Sequence, residues 1–368
     1  MDKKDLTTWL DSLSKEEREV VKLRFGIDGE EPLTLKEIAL KLGIEISKAK
    51  LIEIKYIQKL RDLTDKSKSK QAEESSENSE EISDTTSLKY LLKKNFTEIE
   101  NISLGNASAG IPTSFLDFDA MTQGLRRGDL IAFAGRPSMG KTSLALQLAR
   151  NISGQNLPVC FFGFDLSKEE LAYRLLGMEV GIEIGRIRTG RFTSEEWELV
   201  HEKNTKLEAL PIFLEDKKAI SIDEIKNRCR KISLTNDEKN LGLIVIDSYH
   251  MMERSNLDDY QAQLDTNTRE LKSLAKELNV PVLITAPISR GVEERENCRP
   301  MLSDLRDSEV LEDYGDIIVM LYRDEYYDPD TEDRGIAELI VTTHRNGPVG
   351  TVKMLFEPQF GRFRNLAA

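Results

Sequence analysis

The chain has 368 residues, of which 39% are hydrophobic and 32% charged, and it carries a net charge of −13. This balance fits one large and one small globular domain. No apolar run approaches the roughly 20 residues that cross a bilayer, and the N-terminal MDKKDLTTWLDSL has no apolar signal core, so a cytoplasmic protein without membrane contact is expected. Cys160, Cys229 and Cys298 lie far apart, as reduced thiols would, and His201, His250 and His344 have no metal-ligand spacing, so no structural metal is expected. The acidic charge has the wrong sign for a nucleic-acid binder, so any such contact must rest on local basic residues.

In chain order, residues 1–63 read as helical throughout. Residues 64–87, TDKSKSKQAEESSENSEEISDTTS, hold almost no apolar side chains and read as a flexible acidic linker. Residues 88–100 place Leu88, Leu91, Leu92, Phe96 and Ile99 on a single stripe of a short helix. That helix must dock on its own core or, equally well, on a neighbouring subunit. From about residue 105 strands and helices alternate, the pattern of a mostly parallel α/β sheet. The strand candidates are 130–134, 158–163, 211–214, 242–247, 280–286, 316–321, 336–343 and 350–356, the last two as a hairpin at a sheet edge.

The strongest chemical signal is GRPSMGKT at 135–142, between the buried strand DLIAFAG and the helical SLALQLARNI. Glycines at this spacing let consecutive backbone N–H groups face phosphate oxygens at a helix N-terminus. Gly135, Arg136, Pro137, Ser138, Met139, Gly140, Lys141, Thr142 and Ser143 are therefore the expected ATP contacts. Lys141 would reach the β- and γ-phosphates and the Thr142 hydroxyl would ligate Mg²⁺. LGLIVIDS ends a second buried strand in Asp247, placed to hold the Mg²⁺ hydration shell. VCFFGFDLSKEEL ends a third in Asp165, the candidate for orienting or deprotonating the attacking water. A helix cap is the alternative role for Asp165, with Ser167 competing for it and Glu170 as capping-box partner.

Over roughly 86–366 the chain resembles the RecA-like ATPase domain of bacterial replicative DNA helicases of the DnaB type. The stretches that carry the resemblance are GIPTSFLDFDAMTQGLRRGDL (110–130), RPSMGKT (136–142), RTGRFTSEEW (188–197), LAKELNVPV (274–282), 299–333 and RNGPVGTVKMLF (345–356). The resemblance implies a P-loop ATPase fold, 5′–3′ translocation on DNA in replication, and the same roles for Lys141, Thr142 and Asp247. It makes 88–104 a linker helix that docks on the next subunit of a hexameric ring. It makes Arg345 an arginine finger reaching into the neighbouring subunit's site, a group that contributes about 10³–10⁵ in rate. Single-stranded DNA is the implied second ligand, with Lys226, Arg228, Arg230 and Lys231 available to line a channel.

The departures from that pattern gather at the reaction centre. A catalytic Glu is replaced by Asp165, one methylene shorter, and the γ-phosphate sensor, usually Gln, by Pro287. The basic residue two before the finger becomes Thr343, and a glycine of the DNA-facing loop becomes Glu309. Tyr and Gln after the metal-side Asp become Ser248 and His250. ATP–Mg²⁺ binding with weakened hydrolysis is expected, the alternative being a non-unwinding, nucleotide-gated regulatory protein.

Residues 12–63 resemble the fourth region of bacterial primary sigma factors, a helix-turn-helix whose core here would be Leu35, Ile38, Ala39, Leu42 and Ile44. At the base-reading positions stand Ile46, Ser47, Lys48 and Leu51, which offer few bidentate contacts. Lys48, Lys50, Lys55, Lys59 and Arg61 can touch phosphates. A protein-contact module and a DNA-binding module both remain open for 1–63, and the RecA-like domain is expected over 105–368.

Overall fold

The structure, a computed structural model, describes residues 13–25, 33–45, 48, 52, 87–105, 108–218, 220–235, 240–252, 260–305 and 309–366. The chain divides into two compact units, Met1–Leu91 and Leu92–Ala368.

In the first unit the helices Lys15–Phe25 and Leu35–Leu42 pack together. Thr34 and Glu37 form a capping box on the second helix, and Gly43 ends it in the left-handed region at φ 65°. Val20, Val21, Leu23, Ile38 and Ile52 are buried together, with Leu35, Leu42 and Ile44 packed against them. The expected turn core is thus assembled, with Ala39 also buried. Lys48 is exposed. Ile46, Ser47, Leu51, Lys50, Lys55, Lys59, Arg61 and the linker through residue 86 lie outside the described residues.

The helix Leu88–Ser103 runs three residues past the expected 88–100, and its Leu92, Phe96 and Ile99 are all more than half exposed.

Among the described residues the second unit is built on one sheet of nine strands in the order β3-β2-β4-β5-β1-β6-β7-β8-β9. These are β1 Leu130–Gly135, β2 Val159–Gly163, β3 Ile212–Glu215, β4 Leu243–Asp247, β5 Val282–Pro287, β6 Ile317–Tyr322, β7 Ile336–His344, β8 Gly350–Glu357 and β9 Arg362–Asn365. The six strands from β3 to β6 pair in parallel, and β7, β8 and β9 continue antiparallel. The parallel strands β1, β2, β4 and β6 are wholly buried, because helices cover both faces, and so read as unbroken apolar runs. One face packs Leu144, Leu148 and Ile152 of the helix Lys141–Ser153. The other packs Leu264, Leu271 and Leu274 of Tyr260–Glu277, and Ile225 and Cys229 of Ile222–Thr235. The expected α/β class, its eight strands and the β7–β8 hairpin are all present. The hairpin does not form the edge itself, because β9 pairs outside β8.

Register decides where chemistry gathers. Gly135 lies opposite Pro287, and Gly163 opposite Asp247. The C-terminal tips of β1 and β5 are therefore level, and those of β4 and β2 are level two residues short of them, because Ile246 lies opposite Ile284; all four tips lie at the end where ligands bind in open parallel sheets.

Candidate nucleotide-binding cleft

β1 ends in the buried Gly135, and the chain turns through Ser138 at φ 65° and Gly140 at φ 99° into the helix Lys141–Ser153. A Cβ on Gly140 would stand 3.0 Å from Phe363 and 3.2 Å from Phe356, so glycine is required by space as well as conformation. Met139 is buried and anchors the loop from below. Arg323, at the end of β6, donates from Nη1 to the Ser138 carbonyl at 3.0 Å and stacks over the Phe356 ring at 4.6 Å. The helix Lys141–Ser153 begins without a side-chain cap and without an acidic residue in its first turn. Its leading N–H groups and positive dipole end thus lack the usual intramolecular anion.

Lys141 donates from Nζ to the carbonyls of Gly135 (2.8 Å) and Arg136 (3.0 Å). Burial pushes its ammonium down to about 8, with Arg136 adding to the shift and Asp247 and Asp165 opposing it. Asp247, buried at the tip of β4, accepts a hydrogen bond from Thr285 Oγ1 at 2.5 Å and another from the Thr142 hydroxyl. Burial moves its carboxyl above the ordinary range, against those two hydrogen bonds. Thr142 and Asp247 thus bring two hard oxygen donors together beside the loop, a set that fits Mg²⁺. Among the described residues no group of three or more His, Cys, Asp or Glu could hold a metal. A Mg²⁺ here would therefore keep waters and phosphate oxygens as its other ligands.

These groups line one cleft of about 540 Å³ with Pro137, Ser138, Gly140, Ser143, Asp165, Arg174, Ser248, His250, Pro287, Arg323, Phe356 and Pro358. Asp165 is exposed at the end of β2. Ser167 takes the cap of the helix Lys168–Val180, accepting the Glu170 N–H at 3.2 Å. Glu170 pairs with Arg174 and Arg188, so the capping alternative falls to Ser167 and Asp165 borders the cleft. Arg136 points elsewhere, donating to Glu293 at 2.8 Å.

Arg345 is not brought to this cleft. β7 runs antiparallel to β6 with His344 opposite Ile317, which sets Arg345 at the opposite end of the sheet. The length of β6 separates the two ends by about 17 Å. There Arg345 donates to the carbonyls of Gly315 and Asp313 and lies 3.7 Å from Asp316. It cannot serve its own chain's cleft. Of the expected channel cations, Lys226 pairs with Glu270, Arg228 with Glu215 and Arg230 with Glu277. Glu309 opens the short helix Glu309–Tyr314, and its side chain lies outside the described residues.

Thr285, Arg174, Arg323, Phe356 and Pro358 carry no signal in the sequence. Thr285, Arg323 and Phe356 reach the cleft through strand pairing, Pro358 through the β8–β9 turn and Arg174 from the helix Lys168–Val180, and no local motif announces any of them.

The profile of the DnaB-like helicase C terminal domain matches residues 110–365, and that of sigma-70 region 4 matches residues 9–62. The chain belongs to the DnaB-like helicase family. It is 39% identical over 284 residues to the replicative DNA helicase DnaC of Bacillus subtilis (strain 168), covering 76% of this chain and 62% of that protein. It is 38% identical to the replicative DNA helicase DnaB of Geobacillus stearothermophilus over the same shares of the two chains. It thus spans less than two thirds of the length of these helicases. Among solved structures, an isolated ATPase domain superposes with a TM-score of 0.73 at 36% identity, covering 77% of this chain and all of that one. A DnaB-like replicative helicase studied with primase gives 0.70 at 28% identity, over 97% and 94% of the two chains. A RecA-like α/β ATPase fold of the DnaB kind is therefore established for the second unit. Among the described residues no helix is long and apolar enough to cross a membrane.

Proposed function

We propose that the chain is an ATP–Mg²⁺-binding member of the DnaB-type replicative helicases, acting on DNA as a ring with weakened ATP hydrolysis. The observation that carries this reading is the uncapped helix N-terminus behind Gly135–Thr142, with Lys141 and the Thr142–Asp247 pair converging on it. On triphosphate binding the Lys141 ammonium exchanges two carbonyl partners for β- and γ-phosphate oxygens, and the first-turn amides take the rest. Thr142 and Asp247 would hold Mg²⁺, which supplies charge neutralisation to the phosphates when bound. Asp165 orients water, and Arg345 completes the site of the adjacent subunit, with the exposed stripe of Leu88–Ser103 tying neighbours together in a hexamer.

Two features favour slow turnover and keep a second reading, a nucleotide-gated binding protein, in view. Asp165 is a methylene short, and Pro287, level with Gly135, has no amide to offer a phosphate. In that reading the ring binds ATP without unwinding, and the N-terminal unit recruits DNA or a protein. The test is ATP turnover with and without single-stranded DNA, in the parent protein and in Asp165→Glu/Pro287→Gln. The double variant is expected to turn over at least tenfold faster. A rate that stays flat overturns the account of the deficit, and a parent protein as fast as its relatives overturns the deficit itself.

A further inference from the structure

The phosphate loop contains two left-handed residues, and only one of them is glycine. Gly140, at φ 99°, takes the conformation freely, and the rings of Phe356 and Phe363 close on it from β8 and β9. Ser138, at φ 65° in the turn between β1 and the helix Lys141–Ser153, is strained, because its Cβ crowds the following carbonyl. The group that engages it stands on another strand. Arg323 directly follows β6, is buried, and donates from Nη1 to the Ser138 carbonyl at 3.0 Å. Its Nε donates to Glu325 Oε1 at 3.1 Å, and its Nη2 pairs with the same oxygen. Glu325 Oε2 in turn accepts the Gly335 N–H at 2.8 Å, just before β7. The guanidinium lies 4.6 Å over the Phe356 ring, and that ring stands 3.2 Å from where a Cβ on Gly140 would be. All three nitrogens of Arg323 thus have partners, and β6, β7 and β8 together fix its position. It acts on Ser138 directly and on Gly140 through Phe356.

We propose that Arg323 is a positioning residue that holds Ser138 in its left-handed conformation, so that the loop amides face phosphate before a nucleotide arrives. The proposal rests on the nucleotide reading above and deepens it. Without the bond to its carbonyl, Ser138 relaxes toward negative φ, and the peptides on either side of it turn out of the cradle. What Arg323 holds is a backbone conformation. A residue that takes positive φ without strain at position 138 therefore makes the brace dispensable.

The experiment is titration of the full-length protein with Mg²⁺–ATP and, separately, with inorganic triphosphate, read by calorimetry, with thermal unfolding to check the fold. Arg323→Lys keeps a charge beside Glu325 but replaces the fork that spans Glu325 and Ser138 with a single nitrogen. A hydrogen bond from a charged donor is worth about tenfold or more in an equilibrium constant. Arg323→Lys is accordingly expected to weaken both ligands about tenfold. Adding Ser138→Gly is expected to recover most of that loss, and to gain more in the Arg323→Lys background than in the parent. Glu325→Gln, which loosens the guanidinium without removing it, is expected to give a smaller loss that Ser138→Gly also recovers, and it carries the test if Arg323→Lys does not fold. Loss confined to ATP would make Arg323 a contact to the nucleoside and overturns the proposal. No loss of either ligand, or a loss that Ser138→Gly leaves in place, overturns it as well. The nucleotide reading fails separately, if Lys141→Ala leaves the binding of ATP and triphosphate intact.

Discussion

The two ends of the sheet put the same residue types to opposite uses. At the C-terminal tips, Lys141 is bonded to carbonyls and Asp247 to two hydroxyls, beside a helix that starts without a cap. At the N-terminal end, Asp316 accepts the Leu130 N–H at 2.7 Å and pairs with Lys272 and Arg345, while Lys272 also donates to the Gly128 carbonyl at 2.8 Å. One end bonds its ammonium to backbone carbonyls beside an uncapped helix, and the other closes ammonium on carboxylate to pin β1 to β6 and to the helix Tyr260–Glu277. The two ends thus differ in what directly bonds a buried lysine, carbonyls at Lys141 and a carboxylate at Lys272. The same substitution at both ends tests this. Lys141→Met is expected to lower nucleotide affinity more than 100-fold and to leave stability unchanged or slightly raised. Its ammonium is held below its ordinary value by burial, so at pH 7 the charge costs the fold free energy. Lys272→Met leaves the buried Asp316 with only the Leu130 N–H and the more distant Arg345, and is expected to cost about 3 kcal/mol, with nucleotide affinity kept in the folded fraction. Urea unfolding and calorimetric titration of both variants read the contrast, and equal destabilisation would erase it.

A smaller effect sharpens the ligand end. Lys141 titrates at about 8 without nucleotide, and phosphate oxygens around it would raise that value. Above about pH 8 the empty cleft therefore holds a neutral amine that must gain a proton to bind ATP. Calorimetry at pH 9 in buffers of different ionisation enthalpy is expected to show uptake approaching one proton per site, with affinity falling by up to tenfold per pH unit above 8. At pH 6.5, well below that value, Lys141 should contribute no uptake. Equal proton exchange at the two pH values would remove Lys141 from the phosphate contacts.

The difference between the ends also explains what the sequence could show. The phosphate loop is legible because its chemistry is local: glycine spacing, a buried strand before it and an apolar helical stripe after it. The strands of the parallel half are legible for the same reason. The brace at Lys272 and Asp316 joins residues 44 apart, and Arg323 reaches Ser138 across 185, so neither has any local pattern. Thr285 reads as one more residue of an apolar strand until the pairing of β4 with β5 sets it against Asp247. β9 is four residues, RFRN, with Phe363 alone buried, too short and too charged to stand out as a strand. In the N-terminal unit Leu35, Ile38, Ala39, Leu42 and Ile44 are legible only through the resemblance to the fourth region of sigma factors, and Val20, Val21 and Leu23, which the first helix buries against them, carry no such signal.

The bracing end has one member that fits it poorly, and this supplies the smallest test. Asp129 stands just before β1, half-buried, and burial followed by the nearby Asp316 pushes its carboxyl up to about 6, against Lys272, Arg126 and Arg345. A carboxyl whose folded value exceeds its unfolded one loses stability on ionisation. The cost is absent below about pH 4 and fully present above about pH 6. Asp129→Asn removes it. After allowance for solvent screening of a half-buried group the gain is about 1 kcal/mol at pH 8, a rise of about 2 °C in Tm, and it should vanish near pH 4. Thermal unfolding of both proteins at the two pH values reads the difference directly. A gain independent of pH would mean that Asn improves packing rather than relieving charge. No gain at all would mean that the cations around Asp316 compensate both carboxylates, making this end as fully closed on itself as its hydrogen bonds suggest.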